Sequence, residues 1–290
     1  MMEEKALTPE GKKWLHNIWN SKRLESESGA CPDCGRKAIE IQVWEFADGT
    51  IKKYKNCPTC IAKRDKMRKE EEEVIRLAEV AKMKLQYRKT CGIPAKFMNQ
   101  DFSTFKKGWQ DKAFDYCWKY ANSFPVDKRP IGIPSLYIQS KSFGTGKTHL
   151  SCAIVHRIID RWNGGDRGCP RIIFASEPDF FRAIQTTYSF NNEEQKMRES
   201  EDDIIKRLTY CDLLILDDVG KEERRDLRFL QRTLFALIDG RYRLEVPMVL
   251  TANLNADQLK THLGDAAFDR FFEMIKGSQL EMEGKSYRRQ

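Results

Sequence analysis

Ser135-Leu136-Tyr137-Ile138-Gln139 is an apolar strand entered from Pro134, and it runs directly into Ser140-Lys141-Ser142-Phe143-Gly144-Thr145-Gly146-Lys147-Thr148-His149-Leu150. An amphipathic helix is predicted from Lys147 to Trp162, stopped by Gly164-Gly165. Strand, glycine-rich loop and helix in that order make a P-loop. Gly144 and Gly146 let the backbone curl so that successive N–H groups face phosphate oxygens. The helix N-terminus adds its partial positive charge. Lys147 is placed to reach the β/γ-phosphates, and the Thr148 hydroxyl to ligate Mg²⁺. Ser142, Phe143, Gly144, Thr145, Gly146, Lys147, Thr148 and His149 are therefore the candidate ATP-binding residues. The position where a P-loop has its first glycine holds Lys141. A turn with some backbone strain is expected there.

Working outward, Leu213-Leu214-Ile215-Leu216 is a continuous apolar strand that ends in Asp217-Asp218. A buried strand finishing in two carboxylates needs a compensating cation. Mg²⁺ supplies it, with Asp217 holding the metal through water and Asp218 orienting or deprotonating the attacking water. A third strand, Pro247–Thr251, leads to Asn253, placed to sense the γ-phosphate or the water. Further strands are predicted over Arg171–Ala175 and Gln279–Met282, and a helix over Phe229–Ile238. Ser176 with Asp179, and Ser200 with Asp203, carry helix-capping patterns. Strands without polar alternation, interleaved with helices, specify a three-layer α/β core: a parallel sheet covered on both faces. In such sheets ligands bind at the carboxyl ends of the strands, where the three polar termini lie.

Upstream, Cys31-Pro-Asp-Cys34 and Cys57-Pro-Thr-Cys60 are the two paired cysteines; Cys91, Cys117, Cys152, Cys169 and Cys211 are single. An odd total of nine argues against a disulfide framework and for a reducing, cytoplasmic setting. Two C-x-x-C turns suit a tetrahedral zinc ion with Cys31, Cys34, Cys57 and Cys60 as ligands. Between them Ile39, Ile41 and Val43 alternate with Glu40 and Gln42, Asp48-Gly49 marks a turn, and Ile51–Lys55 returns. This is a small zinc ribbon, and its four-thiolate site is closed and structural. Ser21–Ala30 reads as a polar linker, and Trp14, Leu15, Ile18 and Trp19 as one face of a short helix opened by Thr8-Pro9. Residues 61–89 read as a charged connector helix ended by Gly92-Ile93-Pro94. The domains are thus drawn as 1–90 and 91–290.

The chain has 290 residues and a net charge of +8. Its first 90 residues hold 20 basic against 15 acidic side chains. The run from Lys52 to Lys69 is opposed only by Asp65. That run suits either phosphate-backbone contacts or a solvated helix face that also offsets the zinc–thiolate charge. No apolar run reaches the length of a membrane span, and the acidic start is not that of a secretory signal.

Several segments together resemble the AAA+ ATPases, specifically the DnaC/DnaI-type replicative helicase loaders and their IstB-like relatives. They are Gly92–Phe97 with Phe102 and Phe105, the loop Ser142–Leu150, Leu213–Gly220, Leu234–Tyr242, Pro247–Leu254, Leu263–Phe271 and Gly284–Arg288. The resemblance implies an AAA+ core over residues 91–290, with Asp218 where most members have Glu. It implies Arg270 as an arginine finger acting in trans, hence self-association on ATP binding, and Arg288 as a second sensor. It further implies a hexameric DnaB-type helicase and single-stranded DNA as partners, with residues 1–90 gripping the helicase. A slow, switch-like ATPase is expected from the short Asp218 carboxylate. Two other readings stay open: an IstB-like transposition ATPase, and a non-catalytic, zinc-stabilised DNA-binding adaptor with a degenerate pocket, the latter supported only by Lys141.

Overall fold

The computed structural model describes residues 21–31, 33–36, 39–188, 199–221, 227–284 and 286–287. The chain forms two compact units, Met1–Arg76 and Leu77–Gln290. In the first, β1 (Lys22–Gly29), β2 (Ile39–Glu45) and β3 (Ile51–Asn56) form an antiparallel sheet in that order. The predicted linker over 21–30 is therefore a strand. Its register against β2 runs from Lys22↔Glu45 to Gly29↔Ile39, with a bulge at Arg23/Glu25. An edge strand paired through its backbone needs no apolar alternation, so composition alone hid it. The predicted helix at Trp14–Trp19 lies outside the described residues.

Helix α1 (Pro58–Thr90) begins at the second cysteine knuckle. It carries exposed Met67, Val74 and Ile75 in the first unit. Its last turns are not a bare connector. Val80 is buried in the core of the second unit, Tyr87 meets Trp162 edge-on, and Lys84 Nζ donates to Asp160 O at 2.7 Å. Arg88 pairs with the Asp160 carboxylate. The second unit thus starts inside this helix.

The core follows as α2 (Asp111–Ser123), β4 (Leu136–Gln139), α3 (Lys147–Arg161), β5 (Ile172–Ser176), α4 (Glu177–Thr187), α5 (Glu201–Tyr210) and β6 (Leu213–Val219). After these come α6 (Leu227–Arg243), β7 (Met248–Ala252), α7 (Ala256–Leu263), α8 (Asp265–Ile275) and β8 (Gln279–Glu281). The five strands lie in the order β5-β6-β7-β4-β8, and every pairing is parallel. Alternate strand residues serve opposite faces. Leu136, Ile138, Leu213, Ile215 and Val249 pack with α2 and α3, whereas Tyr137, Leu214, Leu216, Met248 and Leu250 pack with α4 to α8. Both faces are covered, which is why these strands read as unbroken apolar runs. Both expected caps are present, Ser176 accepting from Asp179 N–H and Ser200 forming a full capping box with Asp203.

Candidate nucleotide site and cysteine centre

The strand order sets the site. β7 lies between the P-loop strand β4 and the acidic strand β6, so Thr251 and Asn253 stand between loop and carboxylates. Gly144 and Gly146 have φ of 76° and 104°. Only glycine takes such angles without strain, and a Cβ on Gly146 would come within 2.8 Å of Phe105 Cε2. Lys141 is not among the residues with positive φ, and its side chain is solvent-exposed, 3.8 Å from Glu281. The expected strain there is absent, because the turn is made by Gly144 and Gly146. Helix α3 begins at Lys147 with no side-chain cap, so its first-turn N–H groups face the cleft as an anion site.

Lys147, 6% exposed, donates to Asn253 Oδ1 at 2.6 Å and lies 3.5 Å from Ser142 O. Thr148 Oγ1 donates to Asp217 at 2.9 Å, and Thr251 Oγ1 donates to the other carboxylate oxygen at 2.6 Å. A hydroxyl and a buried carboxylate side by side are an oxygen donor set that suits Mg²⁺, with Thr148 as ligand and Asp217 acting through water. Burial, then the adjacent Asp218, pushes the Asp217 carboxyl up to about 6. A carboxylate that resists ionisation in this way is one that a cation would relieve. Asp218 bends out of the strand with φ of 59°, and its carboxylate is held by Lys221 Nζ at 2.5 Å.

Phe143 to His149, with Lys96, Phe97, Gln100, Asp218, Lys221, Asn253 and Tyr287, line a cleft of about 210 Å³, and Asp217 and Thr251 lie buried behind it. A second pocket of about 320 Å³ adjoins it at Gln100, Thr104, Phe105, Gly146, His149 and Tyr287. Phe143 is 61% exposed at the loop tip, with Lys221 Nζ 5.7 Å from its ring centre. Ser142 is exposed and does not line the cleft; its N–H donates to Ser140 Oγ. His149 is a brace more than a ligand: its Nε2 lies 2.8 Å from Asp101 O and 3.2 Å from Thr104 Oγ1, and burial lowers its pKa.

Arg270 is not in the cleft. Its Nε lies 2.7 Å from Asp239 Oδ1 in an ion pair whose N–H is misaligned for a hydrogen bond, and its guanidinium covers Phe235 and Tyr242. The structure therefore leaves this arginine one-third exposed on its own chain, away from the P-loop. Arg288 lies outside the described residues, but nearby Tyr287 donates its N–H to Gly144 O at 3.0 Å. Sequence reasoning missed Lys96, Gln100, Thr251, Lys221 and Tyr287. Only Thr251, a polar residue at the end of an apolar strand, carried a signal.

In the first unit the four paired cysteines converge, with all four sulfurs within 4.8 Å of one another. Cys31 and Cys60 sulfurs are 3.7 Å apart, and Cys34 and Cys57 3.5 Å. Zn–S bonds of about 2.3 Å in a tetrahedron put sulfurs about 3.8 Å apart, so this set fits zinc. Gly35, at φ 71°, closes the first knuckle by donating to Cys31 O, while the second knuckle is the first turn of α1, with Ile61 N–H on Cys57 O. The Cys60 N–H draws the Cys57 thiol down to about 7, whereas hydrogen bonds with Cys34 and Cys31 push Cys60 up to about 12. Four crowded thiols cannot all ionise unless a cation shares their charge.

Among the described residues no helix is long and apolar enough to cross a membrane. Residues 139–290 match the sequence profile described as IstB-like ATP binding protein. YdaV, an uncharacterised protein of Escherichia coli (strain K12), is 27% identical over 179 residues, 62% of this chain and 64% of YdaV. The replicative helicase loader DnaC of the same strain is 23% identical over 134 residues, 46% of this chain and 49% of DnaC. The chain thus spans about half to two thirds of the length of these relatives. Crystal structures of DnaI and of the DnaC helicase loader each superpose with a TM-score of 0.50, at 19% and 20% identity, over 67% and 66% of this chain and 93% and 100% of theirs. They share the fold. With the profile matched over residues 139–290, which hold the P-loop, the acidic strand β6 and Asn253, the protein belongs to the IstB-like ATP-binding family.

Proposed function

We propose that this protein is a slow, switch-like ATPase that loads a hexameric, DnaB-type replicative helicase onto single-stranded DNA. The observation that carries the reading is the convergence of Lys147, Thr148, Asp218 and Asn253 at one cleft, with the buried Asp217 hydrogen-bonded to Thr148. The relative named as a replicative helicase loader supplies the direction. Gly144, Thr145 and Gly146 with the α3 N-terminus hold the phosphates of ATP, and Lys147 releases Asn253 to meet the β/γ-phosphates. Thr148 and Asp217 would hold Mg²⁺, which when bound would supply charge neutralisation on those phosphates. Asp218 orients the attacking water once Lys221 lets it go, and that prior engagement suits a switch better than a motor. Asn253 senses the γ-phosphate, and Arg288 acts as a second sensor.

Arg270 acts in trans. Its separation from its own P-loop supports a role in a neighbouring subunit's site, so ATP binding and self-association go together. The cysteine unit, folded around zinc, grips the helicase. A second reading, an IstB-type transposition helper that works on duplex DNA with a transposase, rests on the family match itself.

The test is co-purification with replicative helicases, followed by ATP-dependent loading onto single strands. Loading lost with Lys147→Ala, and helicase capture lost on deleting residues 1–76, is the expected result. Nucleotide binding unchanged in Lys147→Ala removes the reading. Capture of a transposase in place of a helicase selects the second one.

A further inference from the structure

The backbone at Asp218 takes an unusual course for a strand. It adopts the left-handed region, and the β6–β7 register slips between Leu216 and Val219. An L-residue persists there only when its surroundings over-determine it. Two side chains take the amides that flank the bend. Thr251 Oγ1 accepts from Asp218 N–H at 3.0 Å, and Glu177 Oε2 accepts from Gly220 N–H at 2.7 Å. Gly220 itself, at φ 90°, lies so close to Leu254 that a Cβ would meet its Cδ1 at 2.6 Å.

Glu177 is the first residue of α4, yet its side chain is completely buried. A carboxylate there gains the helix-dipole benefit just as well when exposed. Burying it adds a desolvation cost, and a buried polar pair is weak evidence for stability. Glu177 Oε1 lies 2.6 Å from His262 Nε2, on α7, which is 2% exposed. The carboxylate is thus divided between one imidazole and one amide, and that amide belongs to the turn that presents Asp218.

We propose that Glu177 and His262 are positioning residues for ATP hydrolysis: His262 orients Glu177, and Glu177 pins Gly220 so that Asp218 is held in its left-handed geometry at the cleft. This inference rests on the ATPase reading above. It predicts an effect on turnover and not on nucleotide capture, because neither residue lines the cleft and their hydrogen bonds run to each other and to Gly220.

The experiment uses the full-length, zinc-loaded protein. A fluorescent ATP analogue gives affinity, single-turnover hydrolysis gives the chemical step, and amide exchange reports residues 213–221. Glu177→Ala is expected to bind nucleotide within about twofold of wild type while hydrolysis falls ~10- to 100-fold, the cost of a small misplacement. Glu177→Gln keeps an acceptor for Gly220 N–H and restores most of the rate. In an Asp218→Asn background Glu177→Ala adds no further loss, because both act through one carboxylate. Exchange at the β6 end quickens in Glu177→Ala and not in Glu177→Gln. If Glu177→Ala does not fold, His262→Gln and His262→Ala carry the test, the second slower than the first.

Wild-type turnover in Glu177→Ala or His262→Ala overturns the inference and leaves the ATPase reading standing. So does a loss that appears as weaker binding, or one that persists in Asp218→Asn. If wild type and Lys147→Ala alike bind no ATP, the ATPase reading falls and this inference with it.

Discussion

Among the side chains described in the first unit, Cys31, Val43 and Cys57 are the buried apolar ones; the second unit fills both faces of a five-stranded sheet. Both units carry a candidate cation site, but the two cations answer different needs. In the first, the thiols form a buried cluster of their own, so the metal's binding free energy is folding free energy. In the second, the apolar clusters hold the sheet without help, and a metal would relieve the Asp217 carboxyl, which burial and Asp218 push up to about 6. A cation can be scaffold or reagent, and how much apolar surface surrounds it decides which.

Chelation gives the sharpest break. Removing zinc, or replacing Cys57 with Ser, is expected to abolish amide-exchange protection in β1–β3, a loss on the scale of ~10 kcal/mol of metal binding. The cooperative melt of the second unit stays where it was. A first unit that keeps its protection without metal would erase the contrast.

Next comes Arg241, fully buried on α6 with no carboxylate bonded to it among the described residues. Its guanidinium donates to the carbonyls of Leu208, Thr209, Cys211 and Pro247, joining the end of α5 to the start of β7. Arg241→Leu strands those carbonyls and is expected to cost about 3–5 kcal/mol, read by denaturant unfolding of the second unit alone.

Asp217 sharpens the reagent half of the comparison. The folded, metal-free protein binds its proton more tightly than the unfolded chain does. Stability therefore rises as pH falls from about 6 to the ordinary 3.8, and is lost as pH rises through that window. The full amplitude is about 3 kcal/mol. Asp217→Asn flattens this dependence in thermal melts and raises the neutral-pH midpoint. Mg²⁺ with nucleotide does the same for wild type. The smallest effect is Ser200→Ala, which removes the capping box of α5 and costs about 1 kcal/mol by the same melts.

The nucleotide loop, the acidic strand and the cysteine pairs were legible because each is a short motif whose chemistry requires its residues. β1 was not, since Lys22–Gly29 has no apolar period and owes its strand form to β2. Helices α2, α7 and α8 went unmarked, α7 despite a full capping box of Asn255 and Gln258 at its start and Gly264 at its end. Lys221 has no local signature at all. Glu177 and His262 are 85 positions apart in sequence, and nothing local to either announces the other. Arg270 was legible only as a resemblance, and its geometry on Asp239 could not be read from spacing.

Helix α1 decides how the molecule can be taken apart. Because it passes from one unit into the other without a break, a fragment starting at Cys91 would strip Trp162 of Tyr87 and Asp160 of both Lys84 and Arg88. A truncation meant to isolate the unit that carries the nucleotide cleft belongs at Leu77. Lineages exchanging their front ends would face the same splice point, partway along a helix, with no loop to absorb a mismatch.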